Sequence, residues 1–66
     1  MQLYLKNWRV LNAGLPTLRE DQVAELLKIE LAGAARARML ERLHQRVSSL
    51  RVERERAEIL ASAKLL

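Results

Sequence analysis

Thr17-Leu18-Arg19-Glu20-Asp21-Gln22-Val23-Ala24-Glu25-Leu26-Leu27-Lys28-Ile29-Glu30-Leu31-Ala32-Gly33 is the stretch whose reading decides the fold. Thr17 to Glu20 has the pattern of a capping box, in which the threonine hydroxyl accepts the N–H three residues on and the glutamate reaches back. Pro16 before it favours an extended approach. Asp21 adds negative charge to the first turn, where the helix dipole favours it. Val23, Leu26, Leu27 and Leu31 then recur at helical spacing. Gly33 stands where a left-handed stop is usual. The spacing predicts a helix over 18–32.

Downstream, 34–36 reads as a turn. The segment 37–62 has no Pro or Gly and is rich in Arg, Glu, Leu and Ala, which predicts one long helix. Leu40, Leu43, Val47 and Leu50 mark its apolar stripe. The expected fold is therefore all-α, a helical hairpin in a single domain over 1–66. Upstream, Tyr4, Trp8, Leu11 and Leu15 fall on one helical stripe, and Asn12-Ala13-Gly14 before Pro16 looks like a helix ending. These signals predict a short helix over 3–12. The alternation around Leu3 and Leu5 leaves an extended segment as the alternative.

The two long helices are unequal, at about 22 and 39 Å. The shorter one covers half of the longer and leaves Val52, Ile59, Leu60, Leu65 and Leu66 without a cover. The N-terminal segment or a second copy must supply it, and a chain this short buries little surface alone. A homodimer is the expected assembly, with Leu26, Leu27, Leu40, Leu43, Val47, Leu50, Ile59 and Leu60 as its core and contact residues. The heptad running through 40, 43, 47 and 50 weakens to Arg54, Ala57 and Ala61, so a long coiled coil is not expected.

Composition sets further bounds. The 66 residues are 50% apolar by type but include one Trp, one Tyr and no Phe, and 30% are charged. Without cysteine there are no disulfides and no thiolate metal sites. The longest run free of charge, Val10 to Leu18, contains Gly14 and Pro16 and is far below membrane-spanning length. No secretory leader pattern opens the chain. A protein of the cytoplasm, without membrane contact, is expected. The net charge of +4 is unevenly laid out. Segment 17–33 has two cations against four acids, −2, and segment 34–58 has seven Arg against four Glu, +3. Such a division suggests helices that attract each other, within an antiparallel pair or across two chains.

Arg38, Arg42 and Arg46 recur every four residues and stack along one side of the long helix. With Trp8 and Arg9 as secondary anchors, they are the candidate partner-binding residues, suited to an acidic protein or to phosphates. The plainer reading is a solvated face, and for Trp8 and Tyr4 a cap on the open end of the core. No aromatic interleaves the arginines, which disfavours single-stranded nucleic acid. A DNA-reading helix-turn-helix fits poorly, because Ile29 and Arg42 occupy positions needing a small and an apolar residue. Glu41 and His44 have the spacing of a di-iron half-site but lie at the margin of the apolar face. His44 and Ser48 are neighbours at i,i+4 with no cleft to make them a nucleophilic pair. No catalytic residue, metal or cofactor is assigned, and an enzyme is not expected.

Tyr4-Leu5-Lys6, Trp8-Arg9-Val10-Leu11, Glu25-Leu26-Leu27, Arg42-Leu43-His44-Gln45-Arg46, Leu50-Arg51 and Arg54-Glu55-Arg56 together resemble small proteins encoded in phage and prophage genomes of GC-rich bacterial hosts. The resemblance spans about residues 4–60 in general pattern. It implies an accessory protein that grips a host protein, such as a transcription regulator or polymerase component, and inhibits it. The alternatives are a small basic DNA- or RNA-binding regulator and a virion assembly component.

Overall fold

The computed structural model describes residues 2–63, and among them the chain is all-α with no strand. A 3-10 turn, Gln2–Leu5, leads into α1, Trp8–Gly14. A second 3-10 turn, Leu15–Thr17, precedes α2, Glu20–Ala32, and α3 runs from Ala37 to Ala61. Helices α2 and α3 form the antiparallel hairpin, and the first 3-10 turn packs on α1 and α2.

The N-terminal segment is helical but broken, not one helix over 3–12. Asn7 caps α1, its Oδ1 accepting the Val10 N–H at 2.9 Å. A strong capping side chain ends the incoming turn and starts a new helix at Trp8. Tyr4, Trp8, Leu11 and Leu15 all still reach the core. They do so from three successive elements, with Leu11 and Leu15 fully buried.

The start of α2 is also shifted. The Thr17 hydroxyl donates to the Gly14 carbonyl at 2.6 Å, closing the 3-10 turn and capping nothing downstream. The helix begins at Glu20, with the Gln22 Oε1 accepting the Arg19 N–H at 2.9 Å. The reach-back half of a box is thus present two residues later than the sequence suggested. At the other end Gly33 is not left-handed, with φ −107°. Ala35 takes the left-handed conformation, φ 48°, and its N–H returns to the Glu30 carbonyl at 2.8 Å.

The core consists of Leu5, Leu11, Leu15, Leu18, Val23, Leu26, Met39 and Leu43, with Leu27, Val47 and Leu50 half-buried against it. Two expected positions are displaced. Leu31 is 60% exposed, and Glu30 occupies the inward position one residue earlier. Leu40 lies half-buried at the flank, while Met39 faces inward with Leu43. From Arg51 onward α3 is exposed on every side, including Val52, Ile59 and Leu60. The N-terminal segment packs at the opposite end and does not cover them. Leu65 and Leu66 lie outside the described residues.

Gly14 is buried where the Tyr4 ring crosses the end of α1, and a Cβ there would enter the ring. Gly14→Ala is expected to cost about 1–3 kcal/mol through this overpacking, measured by urea denaturation. Ala35→Gly removes the left-handed penalty of an L side chain and is expected to add about 0.5–1 kcal/mol in the same assay.

Candidate functional site

Helix α1 lies beside the first turns of α3, and the space between them is a groove of about 350 Å³ lined by Trp8, Arg38, Glu41, Arg42 and Gln45. The Arg38 guanidinium carbon sits 4.0 Å from the centre of the Trp8 ring, a stacked cation–π contact. One turn on, the Arg42 Nε donates to the Asn12 Oδ1 at 2.9 Å, and its Nη1 meets the Gln45 Oε1 at 3.3 Å. Asn12 is fixed in turn, its Nδ2 donating to the Trp8 carbonyl at 2.9 Å. The i,i+4 spacing on α1 and on α3 therefore matches: Trp8 meets Arg38, and Asn12 meets Arg42.

The arginine row is not a uniform solvated stripe. Arg38 and Arg42 are pinned by α1, and neither takes part in the ion pairs of the described residues. Arg46 is half-buried, and its Nε has no hydrogen-bond partner among the described residues. Arg9 is exposed on α1. The structure thus brings Trp8, Arg38 and Arg42 together and leaves Arg46 and Arg9 outside the groove lining. Asn12 and Gln45 belong to the site but carry no sequence signal beyond their i,i+4 and i,i+3 offsets from Trp8 and Arg42.

What ties the N-terminal turn to the hairpin is an ion pair between a buried carboxylate and a partly exposed arginine where α2 passes into α3. Glu30 is 2% exposed. Its Oε2 accepts the Arg36 backbone N–H at 2.8 Å and the Arg36 Nε at 2.9 Å, and its Oε1 accepts the Nη2 at 2.8 Å. The same Nη2 donates onward to the Leu5 carbonyl at 2.7 Å. One guanidinium thereby ties the end of α2, the start of α3 and the N-terminal turn. The Arg36 guanidinium holds the Glu30 carboxyl below its ordinary value of 4.5, against the opposing effect of burial. The sequence did carry a signal here. Glu30 is four residues from Leu26 and seven from Val23, so it falls on the inward stripe and requires a cation.

The far end of the hairpin has a second, exposed bridge. The Arg54 Nε donates to the Glu20 Oε1 at 2.8 Å, and its Nη1 to the Glu58 Oε1 at 3.2 Å. Both carboxylates favour the charged guanidinium and raise its pKa. Glu41 and His44 remain exposed, and among the described residues no three His, Asp or Glu side chains converge as a metal site needs. Compared with protein-family models, curated proteins and solved structures, the chain matches none.

The sign of the pH dependence follows from Glu30. Its folded pKa is depressed, so its contribution is complete above the ordinary value of 4.5 and is lost as pH falls through the lower folded value. Arg36→Ala leaves a buried carboxylate without its cation and reverses the shift. The variant is expected to unfold at lower urea than wild type at pH 7, with the gap narrowing at pH 4. An equal gap at both pH values would show that the charge of Glu30 has no part in it, and coincident curves that the pair has no role in stability.

Proposed function

We propose that this chain is a non-enzymatic binding module that docks an acidic segment of a protein partner in the groove between α1 and α3. The stacked Arg38 on Trp8 is the observation that carries the reading. Trp and Arg are the residue types that dominate interface energetics. A guanidinium already laid on an aromatic face loses less freedom when it binds a carboxylate. Arg42, fixed by Asn12, supplies a second donor set one helical turn away. Glu41 at the edge of the groove disfavours an uninterrupted run of phosphates.

Nucleic acid is the second reading, favoured by the net charge of +4. It is weakened because Arg19, Arg36, Arg51 and Arg54 are matched by carboxylates of the same chain. That the partner is a host protein, inhibited by a phage-type accessory chain in the cytoplasm, rests on the residue-pattern resemblance alone. No helix among the described residues is long and apolar enough to cross a membrane.

Trp8 is the single tryptophan and reports directly on the groove. Titrating a Glu-rich synthetic peptide should give a saturable change in its fluorescence. Arg38→Glu with Arg42→Glu should weaken that binding by about tenfold or more while leaving helix content unchanged. An equal response from wild type and double variant removes the groove as the interface. Tighter binding of duplex DNA than of the peptide, falling steeply with salt, favours the second reading instead.

A further inference from the structure

The exposed half of α3 has a face of its own. At 100° per residue, Ser48, Val52 and Ile59 fall on the side of the helix opposite Met39, Leu43 and Leu50. That side has a shallow groove of about 640 Å³ whose lining includes Ser48, Ser49, Val52, Glu53 and Arg56. The two serines are small, which makes the depression. Beyond it stand the large side chains Ile59 and Leu60, 68% and 66% exposed. Helix α2 reaches this stretch through the Glu20–Arg54 bridge, yet all of 51–61 is exposed.

We propose that a second copy of this chain fills that groove, α3 antiparallel to α3, with Glu53 of each copy near Arg56 of the other. One register satisfies three requirements together. Antiparallel pairing about residue 54 sets Ile59 and Leu60 of one copy over Ser48 and Ser49 of the other, large on small. It brings Glu53 within one residue of the position opposite Arg56 on one flank of the contact. On the other flank it brings Arg51 within two residues of the position opposite Glu55, its pairing partner within the chain at 3.7 Å. Within 51–58 three arginines face three glutamates, so the segment has no net charge to repel its copy. A parallel pairing would instead place like residues side by side. Gln45 borders both this groove and the one at Trp8, but Glu53, Arg56 and Ile59 line only the distal face or lie beyond it, so variants at these three test self-pairing apart from the binding reading above. The face is short, and association in the micromolar range is expected.

Sedimentation velocity tests it, with circular dichroism to confirm that each variant keeps its helix. Wild type should be dimeric at about 100 μM. Glu53→Arg puts two cations face to face, and Arg56→Glu puts two carboxylates face to face. Each alone should weaken self-association by about tenfold. Mixed in equal amounts, the two single variants should recover it as a heterodimer, because both cross-chain pairs are again opposite in charge. Ile59→Glu should abolish association without unfolding the chain. A wild type that stays monomeric overturns the proposal. So does a dimer indifferent to the single reversals, or a mixture that regains nothing.

Discussion

One carboxylate in the wrong solvent organises this molecule. Glu30 sits where the apolar stripe of α2 would place a leucine, and it is tolerable there only because Arg36 supplies hydrogen bonds to both its oxygens. The guanidinium that satisfies it is then committed in position. Its Nη2, which also donates to Glu30, reaches the Leu5 carbonyl, and the N-terminal turn is thereby held on the hairpin. Three pieces that share few large side chains are locked by a network in which each polar atom depends on the others. With eight buried apolar residues among those described and a single Tyr and Trp, the apolar core alone offers little uniqueness of packing.

The uneven charge layout acquires a structural meaning at the two ends of α2. Glu30 at one end takes Arg36, and Glu20 at the other takes Arg54. The acidic and basic segments thus complement each other within the chain. They set both the direction of the hairpin and the point on α3 at which α2 begins. Arg38 and Arg42 are left over from this matching. They turn instead to an aromatic face and an amide on α1, contacts that orient a guanidinium without neutralising it.

The long elements were legible from residue pattern, because periodicity and the absence of breakers act over many residues at once. Helix α3 was expected over 37–62 and is found over Ala37–Ala61. The junctions were not legible to the same degree, because several side chains compete for each cap. Asn7 outcompeted continuation of the first helix, and Thr17 closed a turn behind it and did not open a helix ahead. Gly33 looked like the left-handed residue, yet the Ala35 N–H bond to Glu30 puts that conformation two residues later. At the groove, Trp8, Arg38 and Arg42 stood out by type and spacing. Their mutual contact did not, because it depends on how α1 lies across α3, which spacing along the chain does not give.

Helix α3 is a single unbroken rod of 25 residues, and this makes it a ruler. The Trp8 groove is fixed near its first turns, and the face proposed for self-pairing occupies its second half. In a twofold antiparallel pair the two grooves would stand at opposite ends, about 40 Å apart along the axis, with no hinge between them. Such spacing favours a ligand that repeats its acidic segment at that distance over one that presents it once, since the second engagement is then intramolecular. Selectivity for such a ligand would come from the length of a helix and not from any added contact.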